Sequence, residues 1–187
     1  MVRYRAKMSY SPNTIEELSV VRYNTFHMRL RYVCCLVGLV CFVLALTHAL
    51  GEGLTFPLLA VGAGGLGLNG AQPKQDAKRV KRSFRGYYPV ARYEFCDEDM
   101  QITSGANAPE RSEYKDICLL VEDKEYVYLF LRDRSAYMVD RSTLAPQDWD
   151  AFRSFLAKRT KLRWTRRQRF LRTSWKELQS NRLAGRF

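Results

Sequence analysis

The sequence predicts a membrane α+β protein: a two-helix transmembrane hairpin, then a small antiparallel β domain closed by a C-terminal helix. Three observations predict it. Residues 33–50 (VCCLVGLVCFVLALTHAL) contain no Asp, Glu, Lys or Arg, enough helix to cross a hydrocarbon core about 30 Å thick. A second uncharged stretch, residues 53–73, follows after a short turn. Beyond it the apolar periodicity changes from helical to alternating, in short runs rich in β-branched and aromatic residues.

The chain opens with a basic segment, residues 1–31, read as a cytoplasmic juxtamembrane helix. Thr14-Ile-Glu-Glu17 has the form of a capping box, and Ile15, Leu18 and Val21 begin a helical pattern that runs toward the membrane. Tyr23, Phe26 and Tyr32 suit the interface, where aromatic rings are favoured. Residues 32–73 form the hairpin. Its second arm has its apolar heart at residues 54–68 (LTFPLLAVGAGGLGL), with Pro57 near the start. Small residues are common where membrane helices pack closely, and Ala60/Gly64 and Ala63/Gly67 fall at small-xxx-small spacing. These four are the predicted packing face.

Orientation follows from the flanks. Residues 1–31 carry Arg3, Arg5, Lys7, Arg22, Arg29 and Arg31 against two acids. Residues 74–86, read as a basic linker, carry Lys74, Lys78, Arg79, Lys81, Arg82 and Arg85 against Asp76. The turn between the spans has only Glu52. Positive flanks stay in the cytoplasm, which places two spans in the membrane with both termini inside. A cleaved signal peptide fits poorly, because 31 residues precede Tyr32 and the apolar run exceeds an ordinary h-region.

Residues 87–158 are the predicted β-rich domain. Strands are expected over residues 90–95, 100–103, 116–121, 126–131 and 136–139, with a hairpin turn at Arg132-Asp-Arg-Ser135 and a loop at residues 104–109. Pro146 then fits the first turn of a helix whose Trp149, Phe152, Phe155 and Leu156 recur at helical spacing. The chain length leaves just enough residues here for one core.

The tail, residues 159–187, reads as a basic amphipathic helix. From Lys158 onward there are eleven Lys+Arg and one acid, Glu177. Trp164, Leu171, Trp175 and Leu178 form one apolar stripe. Arg163, Arg166, Arg167, Arg169 and Lys176 occupy mostly other positions, as in helices that lie on anionic membranes. Arg79, Lys81 and Arg82 join them as expected lipid contacts. The bland alternatives are a stripe packed on the β domain or on another chain.

Catalytic and metal chemistry find little purchase. Gly62-Ala-Gly64-Gly-Leu-Gly67 matches G-x-G-x-x-G only literally, since a dinucleotide site needs a strand before it and an acid about 20 residues on. Cys34, Cys35, Cys41, Cys96 and Cys118 include no C-x-x-C pair. His27 and His48 fall on opposite sides of the membrane in this topology. Asp97-Glu-Asp99 reads as a solvated turn, and Asp116, Glu122, Asp123 and Glu125 as a charged surface. No cofactor and no metal are expected.

Two spans, a basic segment, then Tyr93-Glu-Phe95, Asp97-Glu-Asp99, Tyr114-x-Asp116-Ile117, Glu122, Tyr126-x-Tyr128-Leu129, Ala136-Tyr-Met-Val139 and a capped helix with Phe152 and Leu156 resemble the YcxB-like family of small bacterial membrane proteins. The resemblance runs over about residues 13–158. It implies a compact β-rich, PH-like unit with a closing helix in a bacterial cell membrane, and no assigned enzymatic activity. Asp140 departs from the Pro-Lys or Pro-Arg common in relatives, and the basic extension is longer than usual.

The expected function is therefore non-enzymatic. The cytoplasmic domain docks a protein partner, as an accessory or regulatory subunit of a larger membrane complex, while membrane lipids hold the basic segments. An anionic-lipid-binding or sensing module is the alternative, with nucleic-acid binding or an enzyme behind it. The net charge of +12 hides an acidic domain, since residues 86–157 carry eight Lys+Arg against fourteen Asp+Glu.

Overall fold

The computed structural model describes residues 1–47, 51–105 and 108–167. They form two compact units, one of Met1–Thr14 with the chain from Gly86 onward, the other of Ile15–Arg85.

The first unit holds eight strands and one helix. Strand β1 (Val2–Ser9) pairs antiparallel with β2 (Val90–Cys96), which continues through β3 (Asp99–Ser104) to β4 (Glu110–Glu113). The second sheet runs β7 (Ala136–Asp140), β6 (Tyr126–Leu131), β5 (Ile117–Glu122) and β8 (Trp164–Arg166). Only the β5–β8 pair is parallel among the described strands. The sheets meet at β1, where Arg5 and Ala145 exchange two backbone bonds of 2.8 Å. Lys7 N–H also donates to Thr143 Oγ1 at 2.8 Å.

Alternation explains the first sheet. In β1, Ala6 and Met8 are buried while Arg3, Arg5 and Lys7 point to solvent; in β2, Ala91, Tyr93 and Phe95 turn inward. Strands β5 and β6 are instead buried on both faces, which is why residues 117–121 and 127–130 read as unbroken apolar runs. Helix α3 (Trp149–Thr160) closes the core: the Phe152 ring lies 4.9 Å from Phe95 and 5.1 Å from Tyr4, and Leu156 is fully buried. Asp148 caps it by accepting the Ala151 N–H at 2.9 Å. Pro146 thus lies ahead of the helix rather than in its first turn.

The second unit is helical. Helix α1 (Pro12–Leu46, 35 residues) and α2 (Thr55–Ser83, 29 residues) run antiparallel. Their contacts pair Glu16 with Lys81, Arg22 with Asp76, and Tyr23 with Gln72. Farther along, a Cβ on Gly62 would lie 3.0 Å from the Gly38 carbonyl oxygen, and one on Gly65 3.5 Å from that of Cys34. Helix α1 is long and apolar enough to cross a membrane, and only 17% of its most apolar window is buried, unlike a core helix of a water-soluble protein. The apolar part of α2, Thr55–Gly65, is shorter than a bilayer requires.

Several expected boundaries are corrected. Residues 1–31 are not one helix: residues 2–9 are a strand, because apolar and basic residues there alternate with period two. The cap of α1 is Ser11, whose Oγ accepts the Thr14 N–H at 3.2 Å while Thr14 Oγ1 accepts the Ser11 N–H at 2.8 Å; the box at residues 14–17 is not the start. Residues 74–86 are no linker, since α2 runs through Pro73 to Ser83 on good helix formers packed against α1. It ends where Arg85 and Gly86 take positive φ of 48° and 83°. The tail is not one helix either, since α3 ends at Thr160. Lys161 turns into the left-handed region (φ 57°), and residues 164–166 then add to β5.

Candidate functional site

Three places in the described residues gather charged or polar side chains. The first is an open cleft of about 610 Å³ in the β domain. Its walls come from the β5–β6 turn (Lys124, Glu125), the segment after β7 (Asp140, Arg141, Ser142, Leu144) and the approach to α3 (Gln147, Trp149). Arg141 organises it. Its guanidinium sits 3.9 Å from the Trp149 ring centroid, and Nη1 donates to the Asp123 carbonyl at 2.9 Å. The Asp140 carboxylate is already engaged, accepting from the Ser142 N–H and Oγ at 2.9 and 2.7 Å. The cleft thus offers an indole, a Lys, a Glu and amide groups. That mixture suits a polar peptide or side chain, and the Ser142 hydroxyl on Asp140 belongs to the local turn after β7.

The second is the turn between β2 and β3. Asp97 lies 3.0 Å from Arg3, 2.9 Å from Arg159 and 3.7 Å from the N-terminal amine. The Arg3 hydrogen bond holds its carboxyl below the usual value. This cluster ties β1, the turn and α3 together, so Asp97 is a structural tether within the acidic triplet. Tyr114 O–H donates to the neighbouring Cys96 carbonyl at 2.8 Å, and burial pushes its pKa well up.

The third is the exposed face of α2, where Lys74, Lys78, Arg79 and Arg82 point to solvent. Lys81 does not join them, because it is drawn into the ion pair with Glu16 at 2.5 Å.

The expected site residues fare unevenly. Trp164 is corrected: it is half-buried, its Nε1–H donating to the Arg153 carbonyl at 2.9 Å and its ring 5.6 Å from Trp149. Arg167 is corrected as well, since it pairs with Asp123 at 2.6 Å and both side chains are largely buried. Neither can lie on a lipid surface while the domain is folded. Arg163 and Arg166 are exposed; Arg169, Trp175 and Lys176 lie outside the described residues. The packing face is corrected by rotation. Ala60, Ala63, Gly64 and Gly67 are exposed, and a Cβ on Gly64 or Gly67 meets nothing within 4 Å, whereas Gly62 and Gly65 face α1. Small-xxx-small spacing identifies a stripe but not which of two neighbouring stripes meets the partner helix.

The carboxylates of β5 and its turn are not a catalytic pair: Glu122 sits 3.2 Å from Arg153 and Asp123 is taken by Arg167. Burial raises the thiols of Cys96 and Cys118, the latter donating to the Leu131 carbonyl, which keeps them from thiolate chemistry at neutral pH. No group of three His, Cys, Asp or Glu among the described residues is arranged to hold a metal ion. Sequence reasoning did not find the cleft, because residues 124 and 149 are brought together only by the sheet. The cation–aromatic pair has no spacing signature.

The family described as YcxB-like protein matches residues 97–156, from the β2–β3 turn to α3. A YcxB-like domain is therefore present over that stretch, which is narrower than the resemblance over residues 13–158 and includes neither β1 nor the helical unit. No curated protein and no solved structure matches the chain.

Proposed function

We propose that the chain is a non-enzymatic integral membrane protein whose β domain docks a protein partner on the cytoplasmic side, as an accessory or regulatory subunit of a membrane complex. The helical unit is its anchor, crossing the bacterial cell membrane twice with both ends inside. The β domain is PH-like, two packed sheets closed by a helix.

One observation carries the anchor. Ser9 and Val90 are paired neighbours in β1 and β2, so the whole helical excursion is inserted into a β-hairpin and must leave and return at one place. A folded β domain cannot straddle a bilayer, so the excursion crosses an even number of times. If α1 spans, α2 with the uncharged residues beyond Gly65 must bring the chain back. The positive flanks support ends on the inside. Docking draws support from the open cleft, whose rim residues Lys124, Glu125 and Gln147 are exposed and lie within the family-matched stretch.

Both parts are testable on the full chain. In proteoliposomes of a cysteine-free background, Gly53→Cys is expected to react with an impermeant maleimide from the side opposite Lys124→Cys; reaction from the same side overturns the anchor. For docking, a Lys124→Glu/Gln147→Arg chain is purified beside the parent. Loss of a co-purifying protein from the variant, with unchanged circular dichroism, supports the reading. An identical set of proteins on both overturns the cleft as the docking place.

A further inference from the structure

We infer that the membrane-distal half of α2 is a docking face for an acidic protein segment, held clear of the lipid by the α1–α2 pair. The inference rests on the two-span reading above. The uncharged run of α1 begins at Val33 and that of α2 has its heart up to Leu68. The helices do not part there: the pairs Tyr23–Gln72, Arg22–Asp76 and Glu16–Lys81 continue the packing to the far end. Two joined helices therefore rise from the membrane as a stalk.

The rise along a helix places the charges. At about 1.5 Å per residue, Lys78 stands about 15 Å beyond Leu68, and Arg82 about 21 Å. The headgroup layer is only about 5–8 Å thick on each side. A tilt of about 40° still leaves Arg82 about 16 Å out. Over such distances salt screens attraction to lipid, the Debye length being about 8 Å. Arg82, expected from sequence to touch lipid, is too far from it in this geometry, and Arg79 stands beyond the headgroup layer.

What they present is a column. At about 100° per residue, Lys74, Lys78, Arg79 and Arg82 fall within an arc of about 140°, opposite the packed face of Pro73, Ala77 and Val80. All four are exposed, and none carries an ion pair among the described residues. The nearby acids are used elsewhere, Asp76 by Arg22 and Glu16 by Lys81. Lys74, Lys78 and Arg82 recur every four residues, about 6 Å apart, which is the spacing of carboxylates one turn apart on an acidic helix. The face contains no aromatic ring on which a nucleic-acid base would stack. Charge complementarity therefore selects an acidic protein segment.

The test uses the full chain in nanodiscs of zwitterionic lipid and a fluorescent oligoglutamate peptide read by anisotropy. The triple variant Lys78→Gln/Arg79→Gln/Arg82→Gln is expected to weaken binding about tenfold, or about 1.4 kcal/mol. A charge-matched control, Lys158→Gln/Lys161→Gln/Arg163→Gln, is expected to stay within about twofold, as a less than 0.5 kcal/mol effect. Equal losses in the two variants overturn the site. So does tighter binding of a single-stranded oligonucleotide that depends on the same three residues. A bimane at Arg82→Cys quenched by brominated lipid also overturns it, by placing that residue at the membrane. The Gly53→Cys labelling is run in parallel on the same chain in sealed proteoliposomes. Same-side labelling sinks the two-span reading, whereas opposite-side labelling with no loss in the triple variant sinks the docking face alone.

Discussion

Cutting the helical unit out of the chain is expected to leave a folded, water-soluble β domain, provided β1 is kept. Residues 1–10 joined to residues 89–167 through Asn-Gly would close β1 and β2 with a four-residue loop, because Ser9 and Val90 are already partners. Residues 86–167 alone lack β1. They lose the burial of Met8, about 1.5–3 kcal/mol. They also lose the Tyr4 ring against Phe152 and Phe155, at 5.1 and 5.3 Å, together about 1–3 kcal/mol. That deficit of about 2.5–6 kcal/mol is set against about 4–12 kcal/mol for a domain of this size. The loop also matters. As flexible chain, the excursion of about 80 residues would cost about 2.7 kcal/mol more to close than four residues; in the native chain the antiparallel helices bring its ends together instead. Urea unfolding followed by circular dichroism and dispersed amide NMR spectra decide the matter. The joined protein is expected to unfold cooperatively and the bare fragment to unfold at a much lower urea midpoint or without a cooperative transition. Equal midpoints for the two would refute the assignment of β1 to the core.

Other outcomes follow from single side chains. Trp164→Ala is expected to destabilise the joined β domain by about 2–4 kcal/mol in urea titrations, through lost packing on Trp149 and an unmade bond to the Arg153 carbonyl. Tyr114→Phe removes the 2.8 Å bond to the Cys96 carbonyl and is expected to cost about 1 kcal/mol in the same titration. Asp97 titrates below its ordinary 3.8 because Arg3 holds the charged form. Its contribution is therefore present above that value and lost as pH falls through the lower folded one, so Asp97→Asn is expected to flatten the acid limb of stability against pH below about 4. In the full chain, Gly62→Leu drives a side chain into the Gly38 carbonyl 3.0 Å away and is expected to cost about 1–3 kcal/mol. Gly64→Leu enters open space and is expected to be neutral or stabilising; thermal unfolding in detergent compares the two.

Most of the β domain was legible in its periodicity. The five expected strands lie where β2, β3, β5, β6 and β7 form, because each pairs with a sequence neighbour in a hairpin or meander. The Arg132–Ser135 turn closes as read, with the Leu131 N–H donating to the Ser135 carbonyl at 2.9 Å. Strand β1 was readable as well: Val2 to Met8 alternates apolar and basic residues, but its charge and its position ahead of a membrane span favoured a helix. Strands β4 and β8 carry no such signal. Glu110–Glu113 is polar throughout, and Trp164–Arg166 is strand only because β5 offers an edge. The cleft and the Asp97 tether join residues far apart in the chain, so no local pattern announces them.

By itself the sequence determined the local matters: the long apolar helix, the order of the hairpin strands, the helix that caps them and the basic character of α2. These depend on side-chain period and charge, which are properties of neighbours. Tertiary structure decided that β1 belongs with β2, which face of α2 meets α1, and that Trp164 and Arg167 serve the core rather than a lipid surface. Those outcomes depend on which surfaces are left to pair once the nearer elements have formed, and that competition spans the whole chain.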